Sequence, residues 1–162
     1  MVDYAAIVKI IQGITAISSE PCKKTLQKIV YLIEAKHVPL GCDFGIHFFG
    51  PYSADLDFAI RQLNDEGIVN IHYTPMEHLI SVTDGTIAKD YNNPTVDKTI
   101  EEFASISPSD LELIATALYV FIQTKDRGRI MDGVKKIKGN KYSDSRINWA
   151  IGKLNDTGYF AA

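Results

Sequence analysis

Outside its carboxylates, the chain holds few side chains with the chemistry of metal ligands: Cys22, His37, Cys42, His47, His72 and His78. A structural zinc site needs about four such ligands brought together, usually in paired motifs. Here four residues separate Cys42 from His47, His72 and His78 belong to a predicted hairpin, and no CxxC or HExxH run occurs. No metal is expected, and His47, beside Phe48 and Phe49, is expected as a half-buried strand residue. Ser53 follows Gly50-Pro51-Tyr52 and not the Gly-x-Ser-x-Gly elbow of a nucleophile, so helix capping accounts for it. Asp55 and Asp57 lie two positions apart on one helix, where side chains diverge, and do not form an acid–base pair. There is no phosphate-cradling glycine loop and no dinucleotide fingerprint. Neither catalysis nor a cofactor is therefore expected.

Charge is the more informative signal. Residues 1–120 carry 8 Lys and Arg against 16 Asp and Glu, and residues 121–162 carry 9 against 4, within a net charge of −3. A basic end of this kind faces something acidic: nucleic acid, a partner protein, a sister subunit, or the acidic half of its own chain. In a helix-turn-helix the third helix enters the major groove while Lys and Arg hold phosphates. The helix that Ser53 caps and Gly67 ends offers Asp55 and Asp57, carboxylates that repel phosphate, against Arg61 alone. The last helix offers Arg146 and Lys153. With Arg127, Arg129, Lys135, Lys136, Lys138 and Lys141 before it, that set is the predicted nucleic-acid site.

The elements that must position these residues follow from periodicity and punctuation. Ile7, Ile10, Ile11 and Ile14 predict a helix over 3–17. Ser18 and Ser19 offer a cap for a second helix reaching Lys36, with Pro21 in its first turn. Leu26, Ile29, Val30 and Ile33 form its apolar face; Lys23, Lys24, Lys28 and Glu34 point elsewhere. Residues 44–49 predict a strand closed by Gly50-Pro51. Ser53 caps a third helix with Leu56, Ala59, Ile60 and Leu63 inside, ended by Gly67 in a left-handed conformation. Alternation over 68–73 and 79–82 predicts a hairpin. Beyond a connection at 84–94 come a short acidic helix at 95–103 and a helix capped by Ser107-Pro108, carrying Leu111, Ile114, Ala115, Leu118 and Ile122. A helix near 127–138 follows, with Ile130, Val134 and Ile137, and a last one over 143–156.

A degenerate repeat links two of these helices. Leu63-Asn64-Asp65-Glu66-Gly67 corresponds to Leu154-Asn155-Asp156-Thr157-Gly158, and Leu56, Ala59, Ile60 and Leu63 correspond to Ile147, Ala150, Ile151 and Leu154. One inserted residue also aligns Tyr52-Ser53 with Tyr142-Ser143. Phe58 then matches Trp149. Both stand off the buried stripe and are candidate partner-binding anchors, whereas most of Phe48, Phe49, Tyr52 and Tyr73 are expected in the core.

The run 24–32 (KTLQKIVYL), then 47–53 (HFFGPYS), then Leu63 with Gly67-Ile68, resembles the YwgA-type family of uncharacterised prokaryotic proteins. It is similar, more distantly, to the Panacea (SocA-like) antitoxin and phage-associated domain. The resemblance covers roughly residues 20–85. It implies a winged-helix-like fold and a prokaryotic or viral origin, and the Panacea side implies toxin neutralisation.

Taken together, the sequence predicts an α+β, mostly α protein. A winged-helix unit (residues 1–90) precedes a second tri-helical, helix-turn-helix-like unit (residues 91–162), the two packed as one domain. The expected function is non-enzymatic binding of nucleic acid through the basic C-terminal unit, or else a protein–protein adaptor or antitoxin role without DNA, or a homodimer. With two cysteines and no signal-like N-terminus, the expected location is the cytoplasm. The longest largely apolar run, ten residues over 113–122, is half of a bilayer span, so no membrane partner is expected.

Overall fold

The computed structural model describes residues 1–161. It is mostly helical, with seven α-helices and two small antiparallel sheets. Helix α1 (Tyr4–Ile17) is capped by Asp3, whose carboxylate accepts from the Ala6 N–H, and buries Ile7, Ile10, Ile11 and Ile14. Helix α2 (Lys23–Glu34) begins later than the sequence suggests, because Pro21 and Cys22 are extended against a strand. The Pro21 carbonyl accepts from Ile80 N–H, and Cys22 bridges Leu79. Cys22 Sγ becomes the N-cap, and Ser18 instead closes α1.

Two short strands, β1 (Gly45–His47) and β2 (Gly50–Tyr52), pair antiparallel with His47 opposite Gly50. Gly50-Pro51 therefore opens a second strand where the sequence suggested the close of one, and Phe48-Phe49 becomes the turn. Gly50 adopts φ +90°, a region glycine enters without strain. Helix α3 (Ala54–Asp65) is capped by Ser53, and Gly67, at φ +75°, ends it as expected. Strands β3 (Val69–Tyr73) and β4 (His78–Val82) form the predicted hairpin, with Ile71 opposite Ile80.

Helices α4 (Pro94–Phe103) and α5 (Pro108–Thr124) start at Asn93 and Ser107 caps followed by proline. A 3₁₀ turn over Arg127–Arg129 leads into α6 (Ile130–Lys138), and Ser143 caps α7 (Asp144–Asp156). Helix α5 is the axis of the molecule: α2, β2, α6 and α7 all pack on it. Its residues 111 to 118 are all buried, so it behaves as a helix apolar on every side. One core cluster runs from Ala6 to Tyr159 and takes residues from both halves of the chain.

Helix α2 departs most from its amphipathic reading. Gln27 and Lys28 are buried, Lys28 to 1% exposure, although lysine spacing alone placed Lys28 outside. The reason is that α5 covers the face that carries it. Conversely, Ile122 and Ile137, expected inside, are exposed where their helices approach their ends.

Candidate binding surface and the ionic centre beneath it

The only acidic side chain among the buried polar groups of the described residues is Glu112, on α5, at 0% exposure. Lysines from three elements converge on it. Lys138, at the end of α6, lies 2.8 Å from Oε2 and Lys141 2.7 Å from the same oxygen, while Lys24 of α2 lies 2.9 Å from Oε1. The Tyr142 hydroxyl donates to Oε2 at 3.1 Å. Burial would raise the Glu112 pKa, but hydrogen bonds from Lys138, Lys141 and Lys24 outweigh it and hold the carboxyl at about 2. Lys28, one turn from Lys24, donates 2.6 Å to the Pro51 carbonyl. Burial lowers its pKa to about 8 despite the opposing field of Glu112.

This centre grips the β1–β2 hairpin from below. Lys138 also donates 2.7 Å to the Phe48 carbonyl. Gln27 forms a reciprocal pair with the Ser53 backbone, donating 2.9 Å to its carbonyl and accepting 2.8 Å from its N–H. Gly50 lies so close to α5 that a Cβ there would come 2.8 Å from Thr116 Oγ1. The motif residues Lys24, Gln27, Lys28 and Gly50 to Ser53 thus act as one clamp. Above it the tip stands in solvent: Phe48 is 87% exposed and Phe49 53%, their rings edge-to-face at 5.1 Å. Lys24 sits 4.8 Å over the Phe49 ring.

Most of Phe48, Phe49, Tyr52 and Tyr73 were expected in the core; Phe48, Phe49 and Tyr73 are exposed, because a two-residue turn and a hairpin end carry them away from it. Next to the tip stands Met76, 93% exposed at the β3–β4 turn. A groove of about 400 Å³ lies between them, lined also by Lys23, Lys24, His78 and Pro108.

The predicted phosphate-binding cations are largely tied to carboxylates. Lys138 and Lys141 bind Glu112, Lys135 binds Asp144 at 2.6 Å, Arg146 binds Asp110 at 2.7 Å, and Arg129 contacts Asp126 at 3.6 Å. Arg127 stacks 4.4 Å over Phe160, and Lys153 lies 5.6 Å over Phe103. Lys136 is exposed on α6. Three of these pairs join the basic end to α5, in the acidic part of the chain.

The repeat is visible in matching helix ends. Ile68 N–H bonds to Leu63 O at 2.9 Å and Tyr159 N–H to Leu154 O at 3.0 Å, with Gly67 and Gly158 both at positive φ. This is the six-to-one bond of a Schellman close. Phe58 and Trp149 occupy equivalent sites, 54% and 38% exposed. Each carries an arginine over its ring, Arg61 at 6.0 Å and Arg146 at 4.3 Å.

The would-be metal ligands scatter. Cys22 caps α2, Cys42 is buried with its thiol raised to about 12 by burial, and His47, exposed and not half-buried, stacks on Tyr52 at 4.8 Å. Among the described residues, no group of three or more His, Cys, Asp or Glu is arranged to hold a metal ion, and no helix is long and apolar enough to cross a membrane.

Glu112 was missed as a site residue. In the sequence it stands two residues after Asp110, at the edge of the apolar run 113–122, and nothing local distinguishes it from a solvated carboxylate.

The protein is α+β and mostly helical, with a buried carboxylate–lysine centre under an exposed aromatic turn. No family model matches the chain. It is similar to the uncharacterized protein YwgA of Bacillus subtilis (strain 168), 28% identical over 105 residues. That alignment takes in 60% of this chain and 63% of the relative, so the chain spans less than two thirds of the protein it matches.

Proposed function

We propose that the chain is a non-enzymatic binding module, that α1 to α3 with the β3–β4 hairpin form a winged-helix-like unit, and that it works by docking a protein on the β1–β2 tip. The observation that carries this reading is the contrast at Phe48. Its ring is 87% exposed while its backbone is held by Lys138 from a distant helix. Exposed aromatics on a fixed backbone lose little entropy on binding and suit interface anchors. Toxin neutralisation, which the Panacea resemblance implies, would be one form of such docking. The test places a photo-crosslinking benzoylphenylalanine at position 48, with an exposed α4 position, Lys98, as control. A discrete protein adduct at 48 that disappears in Phe49→Ser supports the reading; adducts equal at both positions, or none, oppose it.

A second reading, nucleic-acid binding by the basic C-terminal unit, draws on its 9 Lys and Arg against 4 acidic residues. It also draws on Arg127, Lys136 and Lys153, which make no ion pair among the described residues. It predicts duplex binding that weakens steeply between about 50 and about 200 mM salt and is lost in Arg127→Glu/Lys136→Glu. Duplex affinity unchanged in that variant would exclude it.

A further inference from the structure

We infer that the groove between the two hairpin turns takes an extended acidic segment of a partner protein, with an apolar side chain seated between Phe49 and Met76. This rests on the protein-docking reading above and adds the chemistry of the partner.

The first support is charge. Glu112 is shared by Lys24, Lys138 and Lys141, and Asp57 is shared by Lys23 at 3.2 Å and Arg61 at 3.6 Å. Glu77 is the one further carboxylate on the groove wall. On the groove wall itself Lys23 and Lys24 stand against Glu77, an excess of one positive charge, and Lys24 belongs to a cluster of three lysines on the single carboxylate of Glu112. It is also reachable: the Lys24 and Lys141 side chains are 29% and 43% exposed, whereas Lys138 is 5%. A lysine whose carboxylate is shared three ways keeps donor capacity for a second anion.

The second support is the apolar pair. Met76 and Phe49 flank about 400 Å³ of open groove, room for an apolar side chain and the backbone that carries it. An unbranched, polarizable methionine adapts to an apolar side chain. With most of the lysines already oriented by carboxylates, the surface favours an acidic peptide over a phosphate backbone.

The test uses the full chain and fluorescein-labelled peptide pools of about 12 residues, read by anisotropy. One pool has Phe or Leu anchors between Asp/Glu flanks. A second keeps the anchors with Ser flanks, a third has Lys flanks, and a fourth keeps Asp/Glu flanks with Ser in place of the anchors. The acidic anchored pool is expected to bind about tenfold tighter than each of the others. In Lys24→Gln/Lys141→Gln the preference for acidic flanks should fall to within about threefold while the anchor preference persists; Met76→Ser should do the reverse. Lys141→Gln alone, which leaves two lysines on Glu112, serves if the double variant does not fold. Equal binding of Ser- or Lys-flanked pools, acidic preference surviving in the lysine variants, or binding by no pool overturns the inference. Tighter binding of an oligothymidine strand than of any pool overturns it in favour of nucleic acid. If position 48 crosslinks a protein while the pools show no acidic preference, docking stands and this inference falls. If both experiments fail, both fall.

Discussion

Lys138 donates to the Phe48 carbonyl across 90 positions of chain while its ammonium also rests 2.8 Å from Glu112. One side chain therefore ties the aromatic turn, the end of α6 and the central helix to a single buried charge. A perturbation at Glu112 should be felt at both ends of that tie.

Removing the carboxylate leaves Lys138 nearly buried without its counter-charge, the costly way to break a buried pair. Glu112→Ala is expected to destabilise the protein by roughly 3 kcal/mol or more, read from urea unfolding. Lys141→Met, at a side chain 43% exposed, should cost less than about 1 kcal/mol. Hydrogen exchange should quicken in Glu112→Ala at both the β1–β2 hairpin and the α6–α7 connection. Equal costs for the two variants would mean that Glu112 is not the centre of the network.

The two titrating members of the centre make stability depend on pH in separate windows. Glu112 has a folded pKa of about 2, below its ordinary 4.5. Its contribution is complete above the ordinary value and fades as pH falls from there through about 2. Lys28 is lowered from 10.5 to about 8, so the unfolded chain holds that proton more tightly. Between those values the unfolded state carries more protons, and stability from this group rises with pH. Lys28→Met should abolish the alkaline rise and leave the acid loss in place. Wild type and Lys28→Met with the same change of unfolding midpoint from pH 8 to 10.5 would contradict the placement of Lys28.

The elements were more legible than the site. Asp65-Glu66-Gly67 and Ser107-Pro108 marked helix ends because capping and left-handed closure are local rules. The β3–β4 hairpin followed from alternation for the same reason. Glu112 and Lys28 were opaque because burial on α5 is decided by α2, β2, α6 and α7, elements far apart in sequence, which no single-helix periodicity reports. The tip misled in the opposite direction: aromatic residues in a strand-like run suggest core, but Gly50 at φ +90° turns the chain two residues earlier than Pro51 implied. Of the basic set, periodicity located the cations but not Asp110, Glu112 and Asp144, which they meet.

The repeat makes a paired prediction about caps. Ser53 and Ser143 each accept from the N–H three residues on, both at 3.2 Å. Ser53 is fully buried and its backbone is bound by Gln27, while Ser143 is exposed. Replacing a capping serine by alanine costs about 0.5–2 kcal/mol. Ser143→Ala is expected near the lower end and Ser53→Ala near the upper, by thermal unfolding. The reverse order would show that the two units are not anchored as described.

Gly50 and Gly67 separate conformational strain from close approach. Both have positive φ, +90° and +75°, but a Cβ at Gly67 meets nothing within 4 Å, whereas at Gly50 it would stand 2.8 Å from Thr116 Oγ1. Gly67→Ala therefore reports the left-handed backbone alone, about 1–2 kcal/mol. Gly50→Ala should cost that and a steric excess of about 1–3 kcal/mol. Thr116→Ala removes the oxygen in the way, and the next atom, Glu112 Cγ, lies at an ordinary 3.5 Å. In the Thr116→Ala background, Gly50→Ala should accordingly fall back toward the cost of Gly67→Ala, giving a coupling energy of the size expected for residues in contact. Gly50→Ala costing no more than Gly67→Ala would mean that the hairpin does not press on α5, and the anchored tip on which docking depends would lose its support.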